Sequence, residues 1–128
     1  IHKMNLLPDF CKIKSVITED SVVKYSLWLN PGHPIFKAHF PGHPITPGVC
    51  IVRMATELLS VHLGRKLELT LIKNVKFLVV IAPDEGGKDI TFGFKKIEAQ
   101  PDGTCRVQAD VCDLEGGMVY CKMSLVLK

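Results

Sequence analysis

The sequence predicts an α+β domain in which one strongly curved antiparallel sheet wraps around a single long helix of about residues 47–63. Three observations carry this reading. The stretch between Pro47 and Gly64 has helical start and stop residues and is apolar in nearly every direction around its axis, so it belongs to a buried helix. The runs on either side of it alternate apolar and polar residues with period two. The last of those runs are joined by short turns rich in Gly and Asp, which favours antiparallel neighbours. At 128 residues the chain is read as a single domain over 1–128. Nothing else in it is available to cover the helix, so the sheet must do so.

The elements follow in order. Cys11–Ile17 and Val22–Leu29 are strand-like, with Thr18-Glu19-Asp20-Ser21 as their turn. In the second, Val23, Tyr25, Leu27 and Leu29 alternate with Lys24, Ser26 and Trp28. The stretch from Asn30 to Gly48 is dense in Pro, Gly and His and reads as an irregular loop, with a short strand expected near Ile35–Ala38. Thr46 suits the N-cap of the helix, Pro47 its first position and Gly64 the residue beyond its end. Arg53, Thr56, Glu57 and Ser60, spaced i, i+3, i+4 and i+7, form its one polar stripe. Leu67–Ile81 is a long apolar-rich run, bent near Lys73-Asn74. Three alternating strands follow: one through Ile90, Phe92 and Phe94, one through Cys105, Val107, Ala109 and Val111, and one from Val119 to Leu127. Their turns are Asp84–Gly87, Pro101–Gly103 and Glu115–Gly117. The expected order is β-β-α-β-β-β-β, ending in a meander.

Composition narrows the function. With 47% hydrophobic and 23% charged residues the chain is not a disordered tail. A net charge of +3 with scattered basic residues gives no nucleic-acid footprint. No run of 18 apolar residues suggests a membrane span, and no apolar leader follows Ile1-His2-Lys3-Met4, so a cytoplasmic protein is expected. Met4 is a candidate natural start, residues 1–3 then being an added remnant. The five cysteines are odd in number and contain no C-x-x-C pair, so reduced, buried thiols are expected rather than a disulfide framework or zinc ribbon.

The segment His39–Val49 reads H-F-P-G-H-P-I-T-P-G-V and runs directly into the apolar helix. It resembles the 3-hydroxyacyl-(acyl carrier protein) dehydratases, whose motif is H-F-P-G-x-P-x-x-P-G-V, and it matches that motif without a gap. The later Lys73-Asn74-Val75-Lys76-Phe77 is similar to the family's strand after the helix. The resemblance implies the hotdog fold. It also implies loss of water from a (3R)-3-hydroxyacyl thioester to give a trans-2-enoyl thioester, in fatty-acid or specialised lipid or polyene synthesis. His39 is then the base that takes the proton alpha to the carbonyl, because neutral imidazole titrates near operating pH. The Gly48 N–H at the helix start is the donor to the thioester oxygen. Phe40, Pro47, Val49 and Phe77 would contact substrate.

One position departs from the family. The acid there is a Glu or Asp where this chain has Arg53, and arginine, with a pKa above about 12, is not a general acid. Glu57 stands one turn further, about 6 Å along the axis. Four readings stay open. Glu57 has become the acid, oriented by Arg53; or His39 performs both proton transfers with Arg53 as an electrostatic helper. Alternatively the chemistry is thioester hydrolysis, or the protein is a non-catalytic module that binds acyl chains or a carrier protein. On a solvated face, Arg53 and Glu57 would be only an i, i+4 ion pair of a few tenths of a kcal/mol.

The remaining candidates are weaker. His33, His39 and His43 lie in a Pro-Gly loop without interleaved Cys or carboxylates, so no metal is expected. Cys50 lies just inside the helix with no activating partner and is read as core. No cofactor beyond the substrate's own carrier, phosphopantetheine on acyl carrier protein or coenzyme A, is implied. The resemblance further implies a homodimer or higher oligomer, with sheets joined edge to edge and each site built by both chains.

Overall fold

The computed structural model describes residues 5–38 and 42–128, so His39 and Phe40, the candidate base and a candidate substrate contact, lie outside the described residues. Six strands form one antiparallel sheet: β1 (Cys11–Glu19), β2 (Val22–Leu29), β3 (Leu69–Phe77), β4 (Lys88–Ala99), β5 (Cys105–Asp113) and β6 (Val119–Leu127). A short helix α1 (Pro34–Ala38) and the long helix α2 (Gly48–Leu63) lie between β2 and β3. The sheet order is β1-β2-β4-β5-β6-β3. The α+β expectation of a sheet with one long helix therefore holds.

Period-two alternation set the sheet's inner face. Val23, Tyr25, Leu27 and Leu29 of β2, Ile90, Phe92 and Phe94 of β4, and Cys105, Val107, Ala109 and Val111 of β5 are all buried. All but Cys105 form one cluster with Met54, Ala55, Leu58 and Leu59 of α2. The β1–β2 turn is tight because Asp20 and Ser21 both take positive φ, 52° and 65°, as a two-residue type I′ connection requires.

Four expectations are corrected. Ile35–Ala38 is not a strand; Pro34–Ala38 is a turn of helix that buries Ile35 and Phe36, and Phe10 stacks on Phe36 with ring centroids 4.8 Å apart. A proline at the first helical position needs no N–H, which is why the Pro34 signal fits a helix start as well as a loop. The N-cap of α2 is Pro47, with φ −63° and ψ 144° and no side-chain cap, rather than Thr46. The Thr46 N–H instead donates to Ile81 O at 2.8 Å, which fixes the approach to the helix. The apolar run Leu67–Ile81 is a strand only over Leu69–Phe77. Finally, only β4, β5 and β6 form the meander: β3 pairs with β6, and the chain crosses to β4 through residues 78–87.

Gly64 closes α2 as expected, in the left-handed conformation at φ 70°. No two cysteines are bonded, and all are buried except the half-exposed Cys112. Among the described residues no helix is long and apolar enough to cross a membrane.

Candidate active site

Strand β3 is the edge of the sheet beside β6, and its inner face is open. In register with β6, Leu69 faces Leu127, Ile72 faces Leu125, Val75 faces Met123 and Phe77 faces Cys121. The four β6 residues are buried, whereas Leu69, Ile72 and Phe77 are 38%, 41% and 53% exposed. These β3 side chains form one wall of a groove of about 1120 Å³. Its other wall is one side of α2: Gly48, Val49, Val52, Arg53 and Thr56. Asn5, Lys66 and Glu68 complete the lining.

The start of α2 supplies the first polar group. The N–H groups of Cys50 and Ile51 donate to Pro47 O at 3.0 and 3.2 Å, so they are used within the helix. Among the described residues the Gly48 N–H has no acceptor. It is one of the orphan amides every helix start leaves, with the positive end of the helix dipole behind it. A Cβ there would lie 2.7 Å from the tip of the Phe77 ring, so any larger residue would push that ring away from the helix start. The ring of β3 thus rests directly on the helix start. Beside it, the Thr46 Oγ1 is buried and has no partner among the described residues.

Arg53 supplies the second. Its Nε donates to Glu57 Oε2 at 3.0 Å and one terminal nitrogen donates to Asn5 Oδ1 at 3.4 Å. That leaves part of the guanidinium fork for the groove. The rest of the polar stripe is used locally. Thr56 Oγ1 donates to Val52 O, and Ser60 Oγ donates to Thr56 O while accepting from the Leu67 N–H.

Glu57 does not line the groove. It is 9% exposed, and its oxygens accept from the Leu6 N–H at 2.8 and 3.0 Å, the Leu7 N–H at 3.0 Å and Arg53. The pair with Arg53 is therefore not a solvated i, i+4 bridge but part of a buried anchor for the N-terminal segment. The Cys11 thiol nearby is pushed up to about 12, first by burial and then by the charges of Glu57 and Cys50. Burial also raises Cys50, so neither is a ready thiolate nucleophile.

Of the sequence candidates, the structure brings Gly48, Val49, Arg53 and Phe77 to one groove, and Pro47 caps the helix that carries them. Glu57 lies behind Arg53. His33 is structural: its Nδ1 accepts from the Ile35 N–H at 3.1 Å, and its ring meets Phe10 edge-on. Among the described residues no group of three or more His, Cys, Asp and Glu is placed to hold a metal. Sequence reasoning missed Asn5, Lys66 and Glu68, the β3 residues Leu69, Ile72 and Val75, and the anchoring of Leu6 and Leu7. The missed groove residues of β3 carry no periodic signal, because two register shifts, at Leu69/Leu71 and Ile72/Asn74, break the alternation.

This architecture is the hotdog fold, as solved relatives confirm. The chain superimposes on the dehydratase heterocomplex ApeI:P from Xenorhabdus doucetiae with a TM-score of 0.63 at 20% identity, over 88% of this chain and 96% of that one. It also superimposes on a hypothetical thioesterase with coenzyme A from Streptococcus pneumoniae, with a TM-score of 0.61 at 15% identity, over 91% of this chain and 83% of that one. The ApeI-like family model, described as ApeI dehydratase, matches residues 14–107, so the chain belongs to that dehydratase family. A 58-residue stretch is 34% identical to the 3-hydroxyacyl-(acyl-carrier-protein) dehydratase FabZ of Clostridium acetobutylicum, covering 40% of this chain and 41% of that one. A 21-residue stretch is 76% identical to FabZ of Campylobacter curvus, covering 16% of this chain and 14% of that one. These matches span no more than about two-fifths of the curated relatives' length.

Proposed function

We propose that the chain dehydrates (3R)-3-hydroxyacyl thioesters, carried on the phosphopantetheine of an acyl carrier protein or on coenzyme A, to trans-2-enoyl thioesters. The observation that carries this reading is the shared groove, in which an orphan Gly48 N–H, the Arg53 guanidinium and an apolar β3 wall face one space. The acyl chain lies along Leu69, Ile72 and Val75. The thioester oxygen meets Gly48, whose preorganised donor stabilises the charge that develops when the alpha proton leaves. His39, matched to the family motif, takes that proton. The C3–O bond then breaks as the C2–C3 double bond forms. The His39 imidazolium returns its proton to the departing oxygen, which leaves as water. Arg53 donates to that oxygen while charge builds on it, replacing the electrostatic part of a missing acid but not its proton.

This assignment prefers the His39-only route to an acid at Glu57. The Glu57 oxygens already accept from Leu6, Leu7 and Arg53, and the side chain is absent from the groove wall. The same placement disfavours hydrolysis by a helix carboxylate, since Glu57 is the only acidic residue of α2. Two copies joined along β3 would extend the sheet and close the groove, which is supported by the exposure of both faces of that edge strand.

The test is turnover of 3-hydroxyacyl thioesters of several chain lengths, on carrier protein and on coenzyme A, by the wild type and by His39→Ala. The wild type should form the enoyl thioester and His39→Ala should lose at least about 10²-fold in rate, the lower end of what positioned acid–base groups supply. A wild type inactive on all of them, or a His39→Ala variant as active as the wild type, overturns the proposal.

A further inference from the structure

We propose that Glu57 is a positioning residue that couples the N-terminal segment to the presentation of Arg53 in the groove. The proposal deepens the dehydratase reading and rests on it for the role given to Arg53. The geometry is a three-part chain. Leu6 and Leu7 donate their backbone N–H groups to the Glu57 carboxylate, and the same carboxylate accepts from Arg53 Nε at 3.0 Å. Asn5, the residue before Leu6, meets the guanidinium from the other side through its side-chain oxygen at 3.4 Å. Arg53 is thus held between a helix carboxylate one turn away and an N-terminal residue 48 positions away in sequence.

Burial makes the coupling strong in both directions. Glu57 is 9% exposed and Leu6 is fully buried, so a carboxylate that lost its donors would remain in an apolar site with no water to replace them. Docking of residues 5–7 therefore fixes the carboxylate, and the fixed carboxylate sets which guanidinium nitrogens remain for substrate. An arginine with five donors and many rotamers gains directionality only when part of its fork is engaged. Here Nε is engaged by Glu57 and one terminal nitrogen by Asn5, which leaves the remaining terminal N–H groups for an oxygen of the substrate. Substrate held by Arg53 must, by the reciprocity of linkage, tighten the docking of Leu6 and Leu7, which do not line the groove themselves.

The experiment uses the full chain, isotopically labelled, with an unreactive 3-hydroxyacyl-pantetheine analogue of the thioester as probe. In the wild type the Arg53 Nε–H should exchange with solvent at least tenfold more slowly than that of Arg65 or Arg106, neither of which has a side-chain hydrogen bond among the described residues. Adding the analogue should slow exchange of the Leu6 and Leu7 amides several-fold. In Glu57→Gln, amides of β4, β5 and β6 should keep their protection, Arg53 Nε–H should exchange like a free side chain, and the analogue should no longer protect Leu6 and Leu7. The variant should bind the analogue several-fold more weakly, the same factor by which the analogue protects Leu6 and Leu7 in the wild type, and its kcat should fall at least tenfold besides, since the contact to the departing oxygen strengthens as charge builds there; Glu57→Asp should restore part of both. An Arg53 Nε–H that exchanges freely in the wild type overturns the proposal without any variant. So does unchanged Leu6 and Leu7 exchange with analogue bound. A wild type that shows both exchange effects but turns over no hydroxyacyl thioester sinks the dehydratase reading and leaves the coupling standing.

Discussion

Strands β5 and β3 flank the same partner, β6, yet they end differently. The inner-face residues of β5, Cys105, Val107, Ala109 and Val111, are all buried under α2. On β3, equally apolar Leu69, Ile72 and Phe77 stay exposed in the groove and only Val75 packs partly against the core, although Leu127, Leu125, Met123 and Cys121 directly opposite them on β6 are buried. Hydrophobicity does not separate the two strands; position in the sheet does. The buried cluster runs from β2 through β4, β5 and β6 onto α2, and beside β3 the helix presents Gly48, Val49 and Arg53 to the groove. Apolar surface left open beside an orphan N–H and a partly engaged guanidinium is a binding surface rather than unfinished core.

Phenylalanines on the two sides should therefore behave oppositely. Phe92, fully buried on β4, should cost about 3–5 kcal/mol when cut to Ala, read as a shift in the urea unfolding midpoint. Phe77→Ala, at a half-exposed ring against Gly48, should cost roughly 1 kcal/mol or less but weaken binding of the acyl-pantetheine analogue severalfold. Equal destabilisation by the two would show that β3 belongs to the core and erase the distinction. The smallest effect on folding is expected at Leu71, which points away from the groove opposite Val126 and is 52% exposed. Leu71→Asp should leave the monomer's stability nearly unchanged but weaken self-association about tenfold or more in sedimentation, because a charge on an edge strand opposes edge-to-edge pairing. No self-association in the wild type, or self-association unchanged by Leu71→Asp, would contradict the proposed pairing of copies along the β3 edge.

Much of this was legible in the sequence. Gly64, the alternation of β2, β4, β5 and β6, and the polar stripe on α2 were read from residue type and spacing, and the H-F-P-G-x-P-x-x-P-G-V motif pointed to the family. The parts that were not legible depend on distant partners. That β3 lies beside β6 rather than β4 is a matter of sheet topology, and local pattern cannot specify which neighbour an apolar strand takes. Its two register shifts also hide which residues face inward. Thr46 looked like an N-cap by type, but its backbone is held by Ile81, 35 positions on, and its hydroxyl is buried instead. Glu57 looked like a candidate acid because it shares a helix face with Arg53; nothing near it in sequence announces that Leu6 and Leu7 occupy its oxygens.

The central claim is that the thioester binds between α2 and β3, and amide chemical-shift mapping with the acyl-pantetheine analogue tests it most directly. The largest shifts should fall at Gly48, Val49, Arg53, Ile72 and Phe77, with β5 and the β1–β2 hairpin unmoved. Shifts concentrated on the hairpin or on β5, or none at millimolar analogue, would contradict it.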